Sequence, residues 1–108
     1  MAAHEIIVAK REGRLVGYLR LEYMWLTRPF IGLIRVCPDC QRQGVGRSIL
    51  SFLEGVLKDS GYKQLLSSSQ EDEPAPQDWH RAMGFKECGI LEGINEGGVG
   101  EVFFRKGL

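Results

Sequence analysis

The spacing of apolar positions changes character near the middle of the chain. Its first third has the two-residue period of strands. Ile6-Ile7-Val8-Ala9 is a short apolar run inside residues 5–10, the length of a strand. Arg11-Glu12-Gly13-Arg14 follows as a hairpin turn, with Gly13 supplying a left-handed φ. Leu15, Gly17, Leu19, Leu21, Tyr23 and Trp25 then share one face of a second strand, and Val16, Tyr18, Arg20, Glu22 and Met24 share a more mixed one. Leu26-Thr27-Arg28-Pro29 breaks that run, and residues 30–37 form a third strand rich in Ile, Leu and Val. Sequential strands with short links predict an antiparallel meander.

From Val45 the period becomes helical. Val45, Ile49, Leu50, Phe52, Leu53, Val56 and Leu57 recur at that spacing, which predicts an amphipathic helix ended by Ser60-Gly61, with Gly61 as its left-handed cap. Residues 62–69 read as the next strand. A strand, helix and strand joined this closely make a right-handed crossover, so the third and fourth strands are predicted to run parallel. The acidic stretch 70–76 leads to a short helix over 77–83, with Pro74 or Pro76 in its first turn and Gly84 as its stop. Strands over 85–91 and 99–105 close the chain as a hairpin. The fold class is α/β: a single domain over 1–108 with a mixed, mainly antiparallel sheet of about six strands around a central parallel βαβ unit. Trp25, Phe103 and Phe104 read as core or interface residues. Val102, Phe103 and Phe104 on a terminal strand are more apolar than an exposed edge tolerates, which predicts a homodimer.

Composition narrows the function classes. The 108 residues carry 14 Lys and Arg against 14 Asp and Glu, a balance that excludes a globally basic nucleic-acid binder. No apolar run approaches the ~18 residues of a membrane span, and the first residues lack the charged and apolar regions of a secretory signal. An odd cysteine count, 3, points away from a disulfide framework and toward a reducing, cytoplasmic setting.

The most informative chemistry lies at Gln41-Arg42-Gln43-Gly44-Val45-Gly46-Arg47-Ser48. A strand leads in and a helix leads out, so amides without intrahelical partners face the turn and the helix dipole adds partial positive charge. Gly44 and Gly46 allow close approach to that backbone. Arg35, Arg42 and Arg47 outweigh Asp39 there. These features suit a phosphate or pyrophosphate. A dinucleotide fingerprint does not fit, since Ile49 stands where its third glycine belongs; a P-loop does not fit either, with Gln41 and Arg47 at its first glycine and its lysine. On spacing alone, a strand-to-helix turn using glycines for geometry explains the motif as well.

Val36-Cys37-Pro38-Asp39-Cys40-Gln41-Arg42-Gln43-Gly44-Val45-Gly46 resembles the acetyl-CoA-binding motif of the GNAT family of N-acetyltransferases, and Trp79-His80-Arg81-Ala82-Met83-Gly84-Phe85 resembles that family's second signature. The resemblance covers about residues 5–108. It implies an acyl-CoA N-acyltransferase-like fold and acetyl transfer from acetyl-CoA to an amine-bearing small molecule or peptide, with no metal, nucleic acid or membrane. It implies that backbone near Ile34 and Val36 binds the pantetheine arm. Amides of Gln41, Arg42, Gln43, Gly44, Val45 and Gly46, with Arg47 and Ser48, would hold the pyrophosphate, and Trp79 would flank the arm. The thioester would lie where the strands near Val36 and Ser67 splay.

Departures from the family pattern matter too. Elements that in the family precede the strand at Glu5 and wall the acceptor site are missing, so the acceptor site is expected to be open, built from loops or completed by another subunit. Glu73 and Pro76 replace an Asn and a small residue. His80 stands where the family often has an acidic Tyr and is the candidate general acid, although a histidine on a short helix is by default partly exposed. A Glu that some members use as base falls near Phe30; Glu22, on the mixed strand face, is the candidate base here. Two other readings remain. One is a non-catalytic acyl-CoA-binding module. The other is a thiol-redox protein using Cys37 and Cys40; Cys88, His4 and His80 are not spaced to complete a zinc site with that pair.

Overall fold

The computed structural model describes residues 4–108, with side chains from residue 5 onward. A 3-10 turn, Pro38–Cys40, follows strands β1 (His4–Arg11), β2 (Arg14–Met24) and β3 (Arg28–Val36). Helix α1 (Val45–Asp59), strand β4 (Gln64–Gln70), helix α2 (Pro74–Ala82), strand β5 (Lys86–Leu91) and strand β6 (Glu101–Gly107) complete the chain. The six strands form one sheet in the order β1-β2-β3-β4-β6-β5. Among the described residues only β3 and β4 pair in parallel; the other pairs are antiparallel. The expected α/β class, the meander and the βαβ crossover are all present.

Both helices pack on one face. α1 buries Val45, Ile49, Leu50, Leu53 and Leu57 against Leu19, Leu21, Ile31 and Leu65. α2 lays His80 flat on Phe104, their centroids 4.5 Å apart. Gly61 caps α1 in the left-handed region as expected (φ 93), and the amides of Gly61 and Tyr62 bond back to Lys58 and Leu57. No helix covers the opposite face among the described residues. It carries Ile6 and Val8, both exposed, with Arg20, Glu22, Phe30 and Phe103.

Several expectations are corrected. Leu15 does not share the inward face of β2. Lys10 pairs with Leu15 and Ala9 with Gly17, so Val16 is an extra, bulged residue that turns into the core in its place. The link from β2 to β3 is residues 25–27, not residues 26–29. Trp25 and Leu26 are both left-handed (φ 52 and 65) at the centre of a turn closed by Thr27 N–H to Met24 O at 3.2 Å, although neither is a residue that tolerates that conformation well. Trp25 is therefore 76% exposed rather than in the core, with the Arg28 guanidinium 5.3 Å over its ring. α2 begins at Pro74, whose missing N–H costs nothing in a first turn.

β6 is not an edge. It lies between β4 and β5, with Phe104 fully buried and the Phe103 ring 6.1 Å from Phe30. Edge exposure of Phe103 and Phe104, the premise of the expected homodimer, does not hold. The edges are β1 and β5.

α1 approaches the sheet closely at Gly17. A Cβ there would meet Arg35 O at 3.0 Å, Val45 Cγ1 at 3.1 Å and Ile49 Cδ1 at 3.2 Å. Neither the carbonyl nor the packed helix can give way freely. Gly17→Val is expected to lower unfolding stability by about 1–3 kcal/mol, an overpacking cost read from the urea midpoint.

Candidate active site

The site begins with a failure of pairing. β3 and β4 are matched at one position, Phe30 opposite Leu66. Leu21 pairs with Ile31 and Arg20 with Leu33, so Gly32 is an extra residue in β3. Such a bulge bends a strand, and β3 diverges from β4 beyond it. The gap is a cleft of about 630 Å³ lined by residues 31–36 of β3, residues 67–70 of β4, Gln41, Gly46, Trp79, His80, Asn95 and Glu101. Because strand side chains alternate, Ser67 and Ser69 line it from the helix-covered face, and Ser68 and Glu101 from the open one.

At one end of the cleft α1 starts without a side-chain cap. Gly44 (φ 82) is its N-cap, and the first intrahelical bond runs from Ser48 N–H to Gly44 O at 2.9 Å. The amides of Val45, Gly46 and Arg47 precede that bond and have no intrahelical acceptor. The turn is braced from behind. Gln43 Nε2 donates to Asp39 O (3.2 Å), Gln41 Nε2 to Val36 O (3.4 Å), and Arg11 to Gln43 Oε1 (2.5 Å). A Cβ on Gly46 would lie 3.5 Å from Trp79 Nε1, so the indole stands directly beside the helix start.

Ile34, Val36, Gln41, Gly46, Trp79 and His80 thus converge on the cleft. Arg42, Gln43, Gly44, Arg47 and Ser48 are exposed on the turn and first helical turn. The Val45 side chain points into the core. Glu22 does not line the cleft. It folds over Gly32, where a Cβ would overlap its carboxylate, and accepts a bond from Arg20 Nε at 2.7 Å.

His80 is not partly exposed. It is 4% exposed, stacked on Phe104 and edged by Trp79 and Phe85. Its Nδ1 lies 2.7 Å from Pro76 O and its Nε2 2.7 Å from Ser67 Oγ. A carbonyl can only accept, so Nδ1 carries the proton and Nε2 accepts from the Ser67 hydroxyl. Burial, reinforced by the Arg81 charge, pulls the imidazole below its usual range, while the Pro76 carbonyl and Glu101 oppose this. Burial therefore favours the neutral ring.

Sequence reasoning missed Ser68, Ser69, Asn95 and Glu101, and used Ser67 only to mark a position. The signal was Ser67-Ser68-Ser69, a run of hydroxyls in a strand directly after the apolar pair Leu65-Leu66. Ser69 Oγ is buried without a partner, and so is a donor left for a ligand. Glu101 accepts from Ser68 Oγ (2.5 Å) and from Asn95 Nδ2 (2.9 Å), so both carboxylate oxygens are engaged.

Behind the turn, the ligating atoms of Cys37, Asp39 and Cys40 lie within 4.8 Å of one another. Arg14 donates to Cys37 Sγ and to Asp39 Oδ1, both at 3.2 Å, and so sets a cation against the cluster. The Cys37 hydrogen bond and then Arg14 hold the Asp39 carboxyl below the usual range, and burial pushes the Cys40 thiol up. Cys88 is exposed on β5 and His80 serves the cleft, so neither joins the cluster. The His4 side chain lies outside the described residues.

The state of His80 sets a pH dependence. A histidine whose folded pKa is depressed stabilises the fold above its unfolded pKa, and that stability is lost as pH falls, because only the unfolded chain then takes the proton. Wild-type melting temperature should drop between about pH 7 and about pH 5. His80→Gln, which cannot titrate, should show a shallower drop in the same thermal melts.

The model of the acetyltransferase (GNAT) family matches residues 1–85. The chain is 29% identical over 96 residues to a phosphinothricin N-acetyltransferase of Alcaligenes faecalis, covering 82% of this chain and 47% of that protein. It is 36% identical over 84 residues to an aminoglycoside N(6')-acetyltransferase type 1 of Stenotrophomonas maltophilia, covering 70% and 55%. The chain spans about half the length of the curated relatives it matches. In fold it is similar to a GNAT family acetyltransferase from Elizabethkingia anophelis solved with acetyl-CoA bound, with a TM-score of 0.86 over 98% of this chain and 77% of that one, at 20% identity. With more than half its length matched by the family model, and with the splayed parallel strands and uncapped Gly-rich helix start described above, the chain belongs to the GNAT acetyltransferase family.

Proposed function

We propose that this protein transfers an acetyl group from acetyl-CoA to an amine. The observation that carries the reading is the cleft, which joins an anion-binding helix start on one side of the sheet to a carboxylate on the other. The amides of Gly44 to Arg47 suit a pyrophosphate. Backbone of Ile34 and Arg35, left without β4 pairing by the splay, suits the amides of a pantetheine arm, with the Val36 carbonyl held by the Gln41 side chain and Trp79 packing beside it. The unpartnered Ser69 hydroxyl is a donor for the same ligand.

The acceptor approaches from the face that no helix covers. A lysine-like amine with a pKa of ~10.4 is only about one part in 2,500 neutral at pH 7, so the site must take a proton from it. Glu101 stands at that side of the cleft, oriented by Ser68 and Asn95. It is better placed for this work than Glu22, whose carboxylate is turned over Gly32 and paired with Arg20. The relatives named for phosphinothricin and aminoglycosides support a small amine-bearing molecule as the acceptor. No helix among the described residues is long and apolar enough to cross a membrane. The free thiols Cys37, Cys40 and Cys88 suit a reducing compartment, and the reading assigns the protein to the cytoplasm.

Gly46→Glu tests the cofactor end. A glutamate in the first turn of a helix favours the helix but repels a pyrophosphate, so the variant should stay folded and lose at least about tenfold in CoA affinity by calorimetry. Unchanged affinity would reject the assignment. Glu101→Gln tests the acceptor end. Amine-dependent release of CoA thiol, followed over a panel of amines, should fall roughly 10²-fold while acetyl-CoA still binds. Full retention of turnover would remove Glu101 from the reaction. Binding without release by the wild type for any amine would instead support a non-catalytic acyl-CoA-binding module.

A further inference from the structure

The cleft contains a hydroxyl–imidazole pair that direct transfer from thioester to amine does not require. Ser67 is 2% exposed, and its Oγ lies 2.7 Å from His80 Nε2. Pro76 O takes the Nδ1 proton at 2.7 Å and so fixes the tautomer in which Nε2 is unprotonated. Phe104 holds the ring from below by stacking, with Trp79 and Phe85 on its edges. These are the three parts of an activated nucleophile: a hydroxyl, a base within hydrogen-bond reach, and a group that orients the base. The arrangement is wrong for an acid acting alone, because in this tautomer the nitrogen facing the cleft has no proton to give.

We infer that Ser67, with His80 as its base, attacks the thioester of acetyl-CoA and carries the acetyl group as an O-acetyl ester. The inference rests on the acetyl-CoA reading above. Ser67 Oγ forms a bond to the carbonyl carbon as its proton passes to His80 Nε2. The carbon–sulfur bond breaks, and His80 returns that proton to the departing thiolate. The products are O-acetyl-Ser67 and CoA with its free thiol. Water then releases acetate, or the acceptor amine takes the acetyl group; either step regenerates the Ser67 hydroxyl, and no oxidant, reductant or metal is consumed. Ser69, next on the same face of β4 with a buried and unpaired hydroxyl, is a donor available to the carbonyl oxygen as charge develops on it. The Pro76 carbonyl bond strengthens when His80 becomes cationic, which offsets part of the cost of charging a buried ring.

The test is incubation of the full chain with acetyl-CoA and no amine, followed by acid quench, intact mass and peptide mapping, with thiol release followed in parallel. The expected result is one added acetyl group on Ser67 and a burst of free CoA thiol. Both should be absent in Ser67→Ala, and the burst should be at least about 10²-fold slower in His80→Gln. Ser67→Cys retains a nucleophile and should carry the acetyl group as a thioester, which guards against a fold defect in the alanine variant. If deacylation outruns the quench, thiol release without amine should still depend on Ser67. Acetyl-CoA binding by calorimetry, with amine-dependent turnover but neither a Ser67 adduct nor Ser67-dependent release, overturns this inference and leaves the transferase reading standing. Failure to bind acetyl-CoA overturns both.

Discussion

The divergence of β3 from β4 is the constraint on which the rest of this molecule depends. Parallel strands joined through a helix would ordinarily continue their ladder. Here pairing stops at Phe30 and Leu66, because Gly32 adds a residue to β3. The bulge exacts a local condition of its own: the Glu22 carboxylate occupies the volume a side chain at position 32 would need. Glycine at 32 therefore does two jobs, bending the strand and making room for the Arg20–Glu22 pair on the open face. The backbone groups that the lost ladder would have used become available to a ligand lying between the strands.

Where the helix start points follows from a second close contact. α1 packs over β2 at Gly17, where Val45 and Ile49 leave no room for a side chain. That contact fixes the height and angle of the first turn of α1, and so aims the amides of Val45 to Arg47 at the mouth of the cleft. Left-handed Arg42 and Gly44, with the Gln41 and Gln43 side chains bonded back to Val36 and Asp39, give the preceding turn a single path. The anion-binding end of the site is thus a product of core packing, built from the backbone amides of the first turn of α1.

Much of this was legible in the chain itself. Residues 45–59 announce α1 by their period, Gly61 its end, and residues 41–48 the uncapped start, because each depends on local backbone chemistry. The errors have two origins. Leu15 and Val16 exchanged faces and Trp25 came out of the core because a bulge and a turn are set by the register of neighbouring strands, which the period of side chains does not encode. β6 moved from the edge to the interior because strand order is decided by partners far away in sequence. Glu101 and Asn95 were invisible for the same reason: only the insertion of β6 between β4 and β5 brings them to Ser68. His80 was recognised by position, yet its burial could not be inferred from a short, mostly polar helix.

That burial changes what the histidine can do. An exposed imidazole in the position of a family tyrosine would exchange protons with solvent and act as an acid near neutrality. Stacked on Phe104 and tied to Pro76, this ring is desolvated, neutral and oriented, so its chemistry is decided by whatever faces Nε2. What faces it is a serine on a strand whose alternate residues are core leucine and a second buried serine. A strand interior normally excludes hydroxyls unless each has a partner. Ser67 has one and Ser69 has none, both in the one cleft where the sheet is open. The polar residues that weaken this part of the core are those that equip it for a reaction, and the aromatic cage around His80 supplies the packing they forgo.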